Sequence, residues 1–232
     1  MINDQDKEER SSDDDSNPLL ADSPNAWDRL IESVNPASLL VVIEHRMNAG
    51  LKRRLTPEDI WQEALLHAWR DRKRCEWRGI KSFRSWLLTI IDNRIRDAVA
   101  RETAAKRGGG TVTSPFSSLQ SSQSSTSVFP GAITSTTPSR IMMFQEQAKA
   151  IRAVLDSLPE ELRDVVRMRL LEQHSIVEIA ERLGIGASAA RHRFRKGAQL
   201  YRRRLATELA TRLWAIESKK MTDRPPDPSS TG

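Results

Sequence analysis

The sequence predicts an all-α protein: two small helical domains joined by a flexible linker, the second carrying a helix-turn-helix. Three observations predict it. Apolar residues recur at spacings of three and four in two separate blocks, and no useful stretch alternates with the period of two that a half-buried strand needs. Between the blocks, residues 108–140 hold ten Ser, six Thr, no acid and a single base, Arg140, which is the composition of a tether. Thirty-odd structureless residues inside one compact domain would be unusual, so a domain boundary falls there. The stretch from Ser175 to Arg204 reads as two helices broken by a glycine turn, and the second helix is loaded with positive charge.

The chain ends differ sharply from the blocks. Residues 1–24 carry eight acids against Lys7 and Arg10, too little apolar surface to order themselves, and read as a disordered acidic tail. Over all 232 residues the net charge is nevertheless +6, which favours a polyanionic partner. One cysteine, Cys75, excludes an internal disulfide and fits a reducing compartment. No apolar run approaches the roughly 20 residues of a membrane helix, and an acidic N-terminus is the opposite of a signal peptide. A cytoplasmic location is expected.

The first block occupies residues 25–107. Asn35-Pro36, a cap followed by a first-turn proline, opens a helix through Leu39, Leu40, Ile43 and Met47. Thr56-Pro57-Glu58-Asp59 repeats the signal with acids that suit the helix dipole. The helix that follows, from Asp59 to about Arg72, puts Ile60, Ala64, Leu65, Ala68 and Trp69 inside and Asp59, Gln62 and Glu63 outside. A third helix from about Ser82 buries Phe83, Trp86, Leu87, Ile90, Ile91 and Ile95. Its opposite face offers Arg84, Asn93, Arg94, Arg96 and Arg101. From Arg70 to Arg107 there are twelve bases and five acids, so this block has a polyanion-facing surface of its own.

The second block covers residues 141–210. One helix runs through Ile151, Val154 and Leu155 and ends at Ser157-Leu158-Pro159; another, Glu160 to Leu171, buries Leu162, Val165, Val166 and Leu170. Ser175 and Glu178 form a capping box for the next helix, whose stripe is Ile176, Ile179, Ala180 and Leu183. Gly184 stops it, because a left-handed turn is cheap there. The following helix starts near Gly186 to Ser188 and carries Arg191, Arg193, Arg195, Lys196, Arg202, Arg203 and Arg204 without an acid. Such a second helix lies in the major groove with its first residues towards base edges. A solvated basic face on an ordinary α-hairpin is the bland counter-reading. Beyond Trp214 the chain turns Pro-rich and charged, and residues 211–232 read as a tail.

Two basic helical lobes in this order, with this wording, resemble the extracytoplasmic-function group of bacterial RNA polymerase sigma factors. EDIWQEALLHAW is similar to that family's polymerase-binding helix. FRSWLLTIIDNRIRDAVARE is similar to its promoter −10 helix, with a Trp-Leu pair at Trp86-Leu87 and Asn93 and Asp97 four apart. The stretch from Leu155 to Leu205 resembles its −35-binding lobe almost end to end. The resemblance spans roughly residues 25–107 and 141–205 and leaves out both tails and the linker. Trp61 departs from the pattern, standing where a smaller aliphatic residue is common, which suggests a reshaped polymerase-facing surface. Ser188-Ala189-Ala190 replaces a usual Gly-Thr-Val, with Ser188 able to supply the lost hydroxyl.

The resemblance implies site residues. For the −35 element it puts Ser188, Arg191, His192, Arg195 and Lys196 on the groove side, where arginine suits the O6 and N7 of guanine. Arg202, Arg203 and Arg204 would touch phosphates or only solvent. For the −10 element it implies Asn93 against an unstacked base, with Arg94, Arg96 and Arg101 along the backbone and residues 78–82 bordering that base. Trp86 reads as core rather than a stacking platform; Trp77 and Phe83 stay ambiguous. Asp59, Gln62 and Glu63 would meet polymerase. The implied partners are RNA polymerase core and promoter DNA, with room for an anti-sigma factor and no obligate homo-oligomer. No cofactor or metal is expected, since His45, His67, His174 and His192 are scattered, Cys75 lacks companion ligands and no phosphate-binding glycine loop exists. The competing readings are a stand-alone helix-turn-helix regulator, which needs a dimerising or ligand-sensing first lobe, and a nucleic-acid enzyme, which lacks a carboxylate or metal cluster.

Overall fold

Two prolines, each one residue past a polar cap, set where the helices of the first lobe begin. In the computed structural model, which describes residues 17–20, 24–106 and 137–222, Asn35 accepts a hydrogen bond from Ser38 N and Pro36 starts α2 (Pro36–Arg46). Thr56 and Asp59 close a reciprocal capping box at the start of α4 (Pro57–Asp71), with Thr56 N donating to Asp59 Oδ2 at 2.8 Å and Asp59 N to Thr56 Oγ1 at 3.2 Å. Ahead of them lies α1 (Pro24–Ser33), a helix the sequence reading left unassigned although Trp27, Leu30, Ile31 and Val34 keep helical spacing and are all buried. A single turn, α3 (Ala49–Lys52), follows α2, and α5 (Ile80–Lys106) closes the lobe. Among the described residues there is no strand. The acidic segment before residue 17, the linker residues 107–136 and residues 223–232 lie outside the described residues.

The chain divides into two compact units at Gln145 and Glu146, and each has its own core. In the first, α2 is buried along most of its length and packs against α4 and α5. Trp27 stands edge-on to Trp69, ring centres 5.2 Å apart, and to Phe83 at 6.0 Å, so α1 is fastened to both longer helices by aromatic contacts. Arg46 of α2 pairs with Asp92 of α5 at 2.5 Å.

Four residues of this unit sit differently from the expectation: Arg84, Trp61, Trp86 and Ile90. Arg84 is not on the outer face: it is 6% exposed and donates to the Val34 carbonyl and, at 2.9 Å, to Ser38 Oγ. Position 84 lies three and seven residues before Leu87 and Ile91, on the same stripe, and the open carbonyl end of α1 satisfies the guanidinium there. Burial lowers its pKa to about 10. Trp61 is 1% exposed, so it fills the core rather than reshaping an outer surface, and its indole N–H has no partner. Trp86 and Ile90 are half-buried, while Leu88 and Ala98 are buried in their place on α5.

The second unit comprises most of α6 (Pro138–Ser157), with α7 (Glu160–Val166), α8 (Ile176–Leu183) and α9 (Ala187–Thr222). A π-turn, Arg167–Leu171, extends α7. Its extra residue rotates the stripe, so Leu171 is buried at 5% exposure and Leu170, expected in the core, is 39% exposed. Val165, Ile179, Ala180 and Ala190 form the centre of the core, with Met168, Ile176, Leu183, Ile185 and Phe194 against them. The tail assigned from residue 211 gives way to helix: α9 runs to Thr222, since no glycine or proline interrupts it after Gly197 before Pro225.

Candidate nucleic-acid interface

The turn between α8 and α9 decides which side of α9 faces outward. Ser175 accepts from Glu178 N while Glu178 Oε2 accepts from Ser175 N, so α8 starts at a fixed point. These bonds hold the Glu178 carboxyl below the usual carboxylate range. Gly184 ends α8 at φ 62°, with Gly184 N donating to Glu181 O and Ile185 N to Ala180 O at 3.0 Å. Those bonds make a Schellman motif, and a Cβ at 184 would be strained. Ala180 on α8 and Ala190 on α9 are small where the helices meet.

With that side buried, the opposite side of the first part of α9, residues 188–203, faces solvent. Ser188, Arg191, His192, Arg195 and Lys196 are all exposed, as are Gln199, Arg202 and Arg203 further along. At 100° per residue these eight positions fall on one face, opposite Ala190, Gly197 and Tyr201. Arg191, Arg195, Arg202 and Arg203 border an open cleft that also includes Phe194 and Ala198. Arg204 is different from its neighbours. Its guanidinium donates to Ser157 O and, at 2.9 Å, to Ser157 Oγ, capping the carbonyl end of α6. Arg163 does the same from α7, reaching Asp156 O at 2.8 Å.

On the first unit, the expected −10 and polymerase residues sit on two adjoining helices. Asn93 is exposed, and its Oδ1 accepts from Arg96 Nη1 at 2.9 Å. Arg94 lies 2.9 Å from His67 Nε2 and 2.7 Å from Asp97 Oδ2. Arg101 reaches Glu63 at 3.3 Å. Thus Glu63, assigned to polymerase, and Arg101, assigned to DNA, form an ion pair between α4 and α5. Gln62 is exposed, and the Asp59 carboxylate, also exposed, is engaged in the α4 capping box. His67 and Asp97, not named as site residues, prove to hold this surface in place. For Asp97 the available signal was its i to i+3 spacing from Arg94; nothing in the sequence pointed to His67. Burial, then the Arg94 charge, lowers the His67 pKa.

At the start of α5, Gly79 takes φ 87° in the loop from Cys75, and Arg78 pairs with Glu76 at 2.8 Å. Trp77 is half-buried with its ring centre 6.3 Å from that of Phe83, which in turn lies 5.6 Å from Trp86. Phe83 is therefore core, and its two neighbours each keep a solvent-facing part. Burial pushes the Cys75 thiol pKa up. Among the described residues, no group of three or more His, Cys, Asp or Glu side chains could hold a metal, and no helix is long and apolar enough to cross a membrane.

Residues 38–105 match the family model of sigma-70 region 2, and residues 148–199 match that of sigma-70 region 4. No curated protein matches the chain. The first match contains α4, α5 and the Asn93 surface; the second contains the turn at Gly184 and the basic start of α9. Carrying both regions in this order over more than half of its length, with an all-helical fold to hold them, the chain belongs to the sigma factors of RNA polymerase and is of the extracytoplasmic-function type, a family of promoter-recognising, DNA-binding proteins.

Proposed function

We propose that this chain directs polymerase core to promoters by reading a −35 duplex with α9 and an opened −10 strand with α5, and that it helps to melt the duplex while catalysing no reaction itself. The exposed face of α9 is the observation that carries this reading. Ser188, Arg191, His192, Arg195 and Lys196 lie on it together, opposite the helix core, with no acid among them. In that reading arginines in the first turns meet base edges, while Arg202 and Arg203 fall further along the axis and meet phosphates. Asn93 offers a donor and an acceptor to a Watson–Crick edge once a base leaves the stack, and Arg94 and Arg101 lie beside the strand. Gln62, Glu63 and Asp59 face polymerase from α4. The cytoplasm is where such a partner is found.

Transcription from a genomic library by core polymerase plus the full chain identifies the promoters. On the −35 duplex so found, Arg191→Ala should weaken binding by about 1–3 kcal/mol and relax preference at one base. Arg203→Ala, about 18 Å further along the axis, should weaken matched and scrambled duplexes alike and lower the salt slope by about one phosphate. Equal losses on both duplexes from both substitutions would reduce α9 to an electrostatic anchor and remove the assignment of reading residues.

A further inference from the structure

A carboxamide presents a donor and an acceptor side by side, so what it reads depends on which way round it sits. Turned one way, it matches the ring nitrogen and amino group of adenine or cytosine. Turned over, it matches the ring N–H and carbonyl of guanine or thymine. An amide free to flip therefore tells amino bases from keto bases poorly.

Asn93 is not held like its neighbours. Arg94 and Arg101 are tied to the carboxylates of Asp97 and Glu63, whereas Arg96 donates from Nη1 to Asn93 Oδ1 at 2.9 Å. A guanidinium has only donors, so it can meet only the oxygen end of the amide. The carbonyl of Asn93 is turned towards Arg96 and the amino group away from it. Both residues are exposed and three apart on α5, a spacing at which helical side chains are neighbours. One lone pair on Oδ1 is taken, which leaves the other lone pair and both Nδ2 hydrogens for a base.

Resting on the reading of Asn93 as a base contact, we propose that Arg96 is a specificity-determining residue: by fixing the order of donor and acceptor on Asn93, it makes that position distinguish amino bases from keto bases. For a given entry of the base, one set is matched. The other set meets donor with donor and acceptor with acceptor. Arg96 acts here through Asn93 and is a positioning residue, in addition to the charge it adds beside the strand.

The test uses holoenzyme assembled from core polymerase and the full chain, selecting from single-stranded DNA with a run of randomised positions, followed by sequencing. Wild type should enrich adenine and cytosine over guanine and thymine, or the reverse, by about five-fold or more at one position. Asn93→Ala should erase that preference. Arg96→Leu should weaken retention of the whole pool and shrink the amino–keto split to about two-fold or less, while some base dependence at the position persists. Arg96→Gln, whose own amide can donate or accept and so holds Asn93 either way round, should shrink it too. Arg96→Lys, a donor only, should keep it. A wild-type split in Arg96→Leu and Arg96→Gln, with Asn93→Ala still erasing it, overturns the role of Arg96 and leaves Asn93 as a reader. An unchanged profile in Asn93→Ala overturns the reading of Asn93 and the inference with it.

Discussion

Asp59 and His67 have structural duties that bear on any function given to their surface. The Asp59 carboxylate closes the capping box of α4 by accepting from Thr56 N, so Asp59→Ala loses a hydrogen bond worth about 1 kcal/mol and confuses a polymerase-binding experiment with a stability loss. Gln62 and Glu63 are the cleaner positions at which to test that contact. His67 accepts from Arg94 through Nε2 only while that nitrogen is unprotonated. Its folded-state pKa lies below 6.5, so on acidification the unfolded chain takes up a proton before the folded chain does. Stability from this site is complete above about pH 6.5 and is lost as pH falls through the folded value. The first unit should therefore melt at a lower temperature at pH 5 than at pH 7.5. His67→Gln, which can still accept from Arg94 but does not titrate, should show a smaller drop. Tryptophan fluorescence reports mainly on this unit, because Trp27, Trp61, Trp69, Trp77 and Trp86 lie in it and only Trp214 does not. An equal drop in both proteins would show that other groups set the acid sensitivity.

Between elements, two glycines make opposite demands. Gly184 needs a left-handed backbone and has open space beside it, so a side chain there is strained without being crowded. Gly197 is in the middle of α9, where alanine would ordinarily add about 0.5–1 kcal/mol of stability. Here a Cβ would lie 2.6 Å from Val166 Cγ2 and 3.2 Å from Leu162 Cβ, against two fully buried side chains of α7. Overpacking costs about 1–3 kcal/mol. Gly197→Ala should therefore destabilise the second unit, and urea unfolding followed by circular dichroism reads the sign directly. A gain in stability would mean that α7 and α9 can move apart freely. The π-turn after α7 is a comparable detail of packing: it moves Leu171 into the core in place of Leu170 and puts Arg167 against Glu172 and Asp164.

At the scale of the whole chain, the division at Gln145 and Glu146 separates two hydrophobic cores, one built on α2, α4 and α5, the other on α7, α8 and α9. A unit with its own core needs no neighbour to fold. Residues 17–145 and 146–222, produced as separate polypeptides, should each be helical and unfold cooperatively on heating. A featureless or non-cooperative transition in either piece would show that its core is completed elsewhere in the chain. If both pieces fold, the duplex-binding and single-strand-binding proposals can be measured one at a time.

Most of the secondary structure was legible because it is local physics. Caps at Asn35, Thr56 and Ser175, first-turn prolines and the stop at Gly184 each act within one helical turn, and apolar spacing reports which side of a helix is buried. The grouping of Ser188, Arg191, His192, Arg195 and Lys196 came from the family resemblance rather than from spacing, and the structure shows these five positions exposed. The errors came where a distant partner decided the outcome. Arg84 reads as surface until the carbonyl of Val34, 50 residues away, is placed against it. Leu170 reads as core until a π-turn shifts the register. The pairing of Glu63 with Arg101 and of His67 with Arg94 depends on how α4 and α5 cross, which no spacing within either helix encodes. The sequence by itself determined most of the helices, most of their buried sides and the family; only tertiary structure decided which charges are paired between helices, because such a charge finds its partner through contacts between segments far apart in the chain.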